Sequence, residues 1–306
     1  MTIDFDFKAI SSTEFGVGRD QEGNEVFRLI AVDADVQAAL KEMALSTISA
    51  MNDASDEPSQ YAPSEKYGGH EHIFLPLDHE LAKQLRQLHQ ATNMSLDSSA
   101  LNDPENIFCY FARLTEKNGR RLTAVRRASQ FKGVLKSRLI RVVTDALKLV
   151  EDDVFKLDND FDVLVDDKNI WMLRPNAFEF MGNLQSAVSA AAPANIKEIQ
   201  KDLPFVDFST VEDHAKRHPR AARYVASIRS QKETKNIDRQ ALKRLCKATG
   251  VPIEDVNGQI SVLPANVMGF LEVLDRRRYR LELVKGTPES FRAASRTKLK
   301  NETESS

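Results

Sequence analysis

The dipeptide Asn118-Gly119 constrains this chain more than any other feature. It stands between residues 107–114 and 120–127, two strand-like runs, the first carrying Phe108, Tyr110 and Phe111. An Asn-Gly pair supplies the positive φ that a tight hairpin turn requires, so the two runs must fold back on each other. A lone hairpin is marginal in water, so these strands need more partners and an apolar face to cover. The pattern offers them. Residues 13–32 form a second hairpin around the turn 20–24, and 160–165 and 169–174 form a third through Asp166-Asp167-Lys168. Strand-like pieces recur at 72–77, 139–143 and 146–150.

Helical spacing fills much of the rest. Helices are expected from Asp33 or Asp35 to about Met51, then over 78–91, 176–191, 209–232 and 238–249, the last stopped by Gly250. A closing β-α-β piece spans 259–263, 264–277 and 279–284. The fold class is α+β: an N-terminal hairpin-plus-helices domain, then an antiparallel-sheet domain with a helical segment and that closing piece. The polar stretch 93–106 suggests a boundary, giving domains of 1–105 and 106–285 and a disordered tail from 286 to 306.

Charge divides the chain unevenly. The net charge is −2, but residues 1–109 hold 19 acidic and 7 basic residues, and the remainder 26 and 36. Such a split points to different partners for the two halves, one of them polyanionic. No apolar run approaches the roughly 18 residues of a membrane span. The opening residues lack a signal-peptide pattern. Cys109 and Cys246, the two cysteines, fall inside apolar runs as buried thiols would. A cytoplasmic protein is expected.

The strongest candidate site is basic. Lys117, Arg120, Arg121, Arg126, Arg127, Lys132, Lys136, Arg138 and Arg141 occur within 25 residues that contain no acid. Uncompensated positive charge repels itself unless something negative lies against it. A phosphate backbone does this, and counterion release drives the association. Basic residues recur in 214–248, where a solvated helix face is the simpler reading, and again in Arg276-Arg277-Arg278-Tyr279-Arg280. No base-reading motif is present, so contacts would be to the DNA backbone.

Catalysis finds less support. Residues 151–167 hold eight carboxylates, and on a strand Asp158, Asp160 and Asp162 would share one face. That spacing invites a metal-dependent nuclease, but Val163 and Asn169 stand where a calcium loop needs Gly and Glu. A hairpin edge guarded by charge explains the cluster as well. His70 with His72, and His214 with His218, could each ligate a metal but lack further ligands at motif spacing. No cofactor motif occurs.

Four segments in order resemble the KwaB-like family: IFCYFARL (107–114), FKLDNDFDVLVDDKNIWMLRPNAFEFM (155–181), ALKRLCKATGV (241–251) and NGQISVLPANVMGFLEVLDRRRYRLEL (257–283). The resemblance covers residues 105–285. It implies the soluble component of the Kiwa anti-phage defence system, a homodimer that binds DNA beside KwaA, a multi-span inner-membrane protein. It implies recruitment to the inner face of the membrane through that partner, and interference with phage DNA replication or expression. Non-catalytic DNA binding is thus the first functional expectation. A nuclease using Asp158, Asp160 and Asp162, or a scaffold docking an acidic protein, are the alternatives.

Overall fold

Turns build the sheet of the first part of the chain. In a computed structural model, which describes residues 3, 5–21, 24–52, 58–67, 73–101, 106–128, 140–143, 146–149 and 157–293, β1 (Ile10–Gln21) folds back on β2 (Asn24–Ile30). Helix α1 (Ala34–Asn52) follows, then the short strands β3 (Ser59–Gln60) and β4 (Ile73–Pro76), and α2 (Lys83–Gln90). The expected hairpin joins β5 (Ile107–Glu116) to β6 (Arg121–Arg127), and Gly119 takes φ 89° at its turn. Next come β7 (Ile140–Val143) and β8 (Ala146–Leu149), a separate pair. β9 (Val163–Val165), β10 (Asn169–Met172) and α3 (Pro175–Met181) end this part. Eight of these strands form one sheet in the order β2-β1-β5-β6-β9-β10-β4-β3, antiparallel except at β3-β4.

The sheet is covered on both faces. Alternation along β5 sends Tyr110, Ala112 and Leu114 to the face packed by Leu40, Met43 and Ala44 of α1. It sends Cys109 and Phe111 to the face packed by Leu85 and Leu88 of α2 and Phe178 of α3. Burying each such Leu or Phe contributes about 1.5–3 kcal/mol. This is why residues 107–114 read as a nearly continuous apolar run rather than a clean alternation. Gly16 on β1 is required by close approach: a Cβ there would fall against the Phe111 ring and within 2.5 Å of Arg28 O.

The chain separates into two compact units. One comprises Met1–Tyr61 and Tyr67–Leu184, the other Ala62–Lys66 and Gln185–Ser306. The boundary expected at residue 105 therefore falls inside the first unit, because β1 pairs with β5 from Ile10↔Glu116 to Arg19↔Ile107. The real division follows α3, where Asn183 adopts a left-handed φ of 48° and breaks the helix expected over 176–191.

The second unit is mainly helical: α4 (Gln185–Asp202), α5 (Ser209–Arg217), α6 (Pro219–Arg229), α7 (Arg239–Ala248) and α8 (Val267–Leu274). Pro219 explains why the helix expected over 209–232 is two, since proline pushes the preceding residue out of the helical region; His218 sits at φ −128°, ψ 100°. The closing β-α-β is corrected as well. β12 (Gln259–Ser261) pairs with β11 (Glu254–Val256), and β13 (Arg278–Val284) pairs with β14 (Thr287–Arg292). The strands flanking α8 thus lie in separate two-stranded sheets. Residues 287–292, expected as part of a disordered tail, are the strand β14, and the tail from 294 onward lies outside the described residues. Residues 62–66 join this unit through Asn195 Nδ2 to Ser64 O (2.9 Å), Arg223 to Glu65 O (3.1 Å) and an Arg229–Glu65 ion pair.

His89, at the end of α2, is buried with Nδ1 2.9 Å from Thr123 Oγ1 and Nε2 3.4 Å from Asp167. Burial lowers its pKa below the ordinary value near 6.5, and Asp167 opposes that shift only in part. The folded state therefore holds the neutral ring, and its stability is fully present above pH 6.5. Stability should fall as the pH drops through 6.5, where the unfolded chain takes up the proton first. Urea midpoints between pH 7.5 and 5 should show this slope in the wild type, and H89Q should reduce it.

Candidate nucleic-acid interface

Period-two geometry divides the basic stretch. Successive side chains of β6 point to opposite faces. Arg126, opposite Tyr110, lies on the α1 face, while Arg121 and Arg127 share the other face with Val125. Each meets different chemistry.

Arg126 is a hub. Its Nε lies 3.0 Å from Asp158 Oδ2, and its Nη1 lies 3.2 Å from Asp160 Oδ1 and 2.7 Å from Asp162 Oδ1. Arg174 closes the cluster from β10's far end, 2.7 Å from Asp160 and 3.0 Å from Asp162. The backbone N–H of Arg127 donates to Asp162 Oδ2 at 2.7 Å, and the Tyr110 hydroxyl donates to Asp158 at 3.0 Å. Burial works against the Arg126 charge, but Asp162 and Asp158 outweigh it and raise its pKa. Tyr110 is raised by burial and its Asp158 neighbour.

The three carboxylates thus converge, though not as expected. Residues 157–162 are irregular backbone with bends at 159, 160 and 162, preceding β9, not a strand. Asp162 donates its N–H to Val125 O, and Phe161, fully buried, donates its N–H to Thr47 Oγ1. Sequence reasoning kept the acidic and basic clusters apart; in the fold they neutralise each other. Among the described residues no group of three or more His, Cys, Asp or Glu is arranged to hold a metal ion.

Arg121 is also engaged. Its Nη1 donates to His89 O (2.7 Å) and Ala91 O (3.2 Å). Arg113, buried against Glu14, donates to Ala91 O at 2.6 Å. The two guanidinium groups satisfy the carbonyls that end α2, where a helix dipole favours positive charge.

Arg127 differs. Its guanidinium lies 3.7 Å over the ring of Phe180 on α3, and among the described residues it has no acidic partner. Lys117 is exposed in the β5–β6 turn beside Arg120. Seven residues at ~3.3 Å each separate Arg120 from Arg127 by roughly 23 Å, so the described cations do not form one compact patch. Lys132, Lys136 and Arg138 lie outside the described residues; the backbone of Arg141 lies in β7, but its side chain is not described. Phe180 and Arg174 were missed from sequence. The signal for Phe180 was its place on the exposed side of a short amphipathic helix.

Several cations of the other basic segments are paired. Lys216 meets Glu212, Arg239 and Lys243 meet Asp255, Arg277 meets Asp275, and Arg278 meets Glu272. His214 and His218 have ring centroids 4.2 Å apart, and burial with the nearby His218 lowers the pKa of His214. His70 and His72 lie outside the described residues. Both cysteines are buried; burial pushes the Cys109 thiol up and that of Cys246 to about 11, so neither is a nucleophile at neutral pH. Among the described residues no helix is long and apolar enough to cross a membrane.

The distinction between neighbours is testable. R126M should destabilise the first unit by about 3 kcal/mol, because it leaves the buried Asp162 charge poorly compensated. R127M should cost under about 1 kcal/mol, the loss of one cation–π contact. Chemical denaturation of the two variants checks this; equal effects would contradict it.

A family model described as Kiwa protein KwaB-like matches residues 104–283. No curated protein and no solved structure matches the chain.

Proposed function

Because the chain belongs to the KwaB-like family of Kiwa proteins, which points to a component of a multi-part anti-phage defence system, we propose that it acts there by binding DNA without cutting it. The observation that carries this reading is Arg127: a guanidinium stacked on Phe180, without an acidic partner among the described residues. It stands at the entrance to the acid-free segment bearing Lys132, Lys136, Arg138 and Arg141. Phosphates would meet these residues together with Lys117 and Arg120. Arg121 and Arg126 stand behind them, holding β6 in place. Recognition would be of the backbone, with little sequence preference.

The partners follow the same reading. Residues 1–105, with a balance of −12, would dock on the basic cytoplasmic face of a KwaA-like inner-membrane protein, since such loops are enriched in Lys and Arg. The protein would act as a homodimer. Occupied phage DNA would then be obstructed in replication or expression.

A DNA-binding titration across salt tests the reading. With about five phosphate contacts, log K should fall against log salt with a slope near −4.5. R127E should weaken binding at least tenfold while lowering the thermal midpoint by no more than about 4 °C, and DNA should be recovered intact after magnesium is added. A flat salt dependence, or cleavage of the DNA, would remove the proposal.

A further inference from the structure

The β13–β14 hairpin carries five of the ten large apolar side chains that stand exposed among the described residues: Tyr279, Leu281, Leu283, Val284 and Phe291. Register explains the clustering. Tyr279 pairs with Phe291, their rings stacked at 5.6 Å, and Leu281 follows two residues on along the same face. The opposite face holds the anchors. Arg278 and Arg292 reach the buried Glu272, Arg278 donates to Thr249 O, and Ser290 donates to Ala248 O.

Beyond the row of Arg280 and Ser290 nothing of that kind continues. Among the described residues no hydrogen bond or ion pair ties 281–287 to the rest of their unit; Gly286 N–H turns back to Glu282 instead. About four or five residues at ~3.3 Å project the tip roughly 13–16 Å past its last anchor. Exposure rises toward that tip: 84% at Leu283 and 66% at Val284.

We propose that this tip is a lipid-anchoring element that inserts shallowly into an anionic bilayer. The apolar side chains sit at the far end, and the stacked aromatic pair lies behind them. Interfacial segments bury their apolar parts ~5–10 Å into the headgroup and acyl boundary, which the projecting length allows. Residues 276–292 hold six basic residues against Glu282 and Glu289. Arg276, Arg277, Arg278 and Arg292 pair with Glu233, Asp275 and Glu272, an excess of one positive charge remains, and Arg280 and Lys285 are the cations that can meet anionic headgroups. Lys285 at the turn can extend its ammonium back to the headgroups.

Size argues against a protein occupant. The free face of two strands over seven residues covers on the order of 250 Å², far below the roughly 800 Å² per partner of a stable interface. The β14 strand also lies past residue 283, where the family match ends.

Sedimentation of the full-length protein with vesicles decides the matter. The wild type should pellet with phosphatidylcholine vesicles containing 30 mol% phosphatidylglycerol, and less with phosphatidylcholine alone. L283D/V284D changes only exposed side chains, so its thermal midpoint should hold while vesicle affinity falls at least tenfold. In L283W the new indole should shift its emission to the blue on adding the anionic vesicles. Absence of wild-type binding, or equal binding by L283D/V284D, overturns the proposal. So does conversion of a dimer to a monomer by L283D/V284D without lipid, which would make a second copy the occupant.

Discussion

The meeting of Arg126 with Asp158, Asp160 and Asp162 is the interaction on which the first unit depends. Asp162 is all but buried, and a lone carboxylate in that position would be driven to protonate or would unfold its surroundings. Three groups prevent this: the guanidinium groups of Arg126 and Arg174 on one oxygen, and the Arg127 N–H on the other. The cluster joins the end of β6 to the start of β9, two neighbours in the sheet separated by more than thirty residues of chain. The two strand ends form a fixed base.

That fixed base gives the basic segment its division of labour. A strand cannot present all its side chains to one partner, so β6 turns Arg126 inward to the acids and Arg121 to the carbonyls ending α2. Arg127 is left on Phe180 with its charge uncompensated by a carboxylate. A linear count of positive charge merges these roles. The same lesson holds in the second unit, where Arg229, Arg239, Arg276, Arg277 and Arg278, which looked like parts of a basic surface, are ion-paired.

Much of the fold was legible because turns and alternation are local. Gly119, the Asp166 turn that caps Lys168 and Asn169 N–H, and the Asp238 cap of α7 are all short-range devices. What was not legible depends on distant pairing. Nothing near residue 105 announces that β1 will lie against β5, and nothing in residues 62–66 announces a place in the second unit. The acidic cluster was misplaced for the same reason. Its face was inferred from strand spacing, whereas its position follows from Arg126, thirty-two residues earlier, and from Thr47 beneath Phe161.

Hydrogen–deuterium exchange of the full chain with and without a duplex of about 20 base pairs tests the central claim most directly: that β6 divides structural from DNA-facing arginines. DNA should slow exchange in the peptides covering the outer end of β6 and the segment through residue 141. Peptides covering 158–162 should already exchange slowly and should change little. Protection confined to residues 214–248 or 276–292, with none at 127–141, would contradict the account.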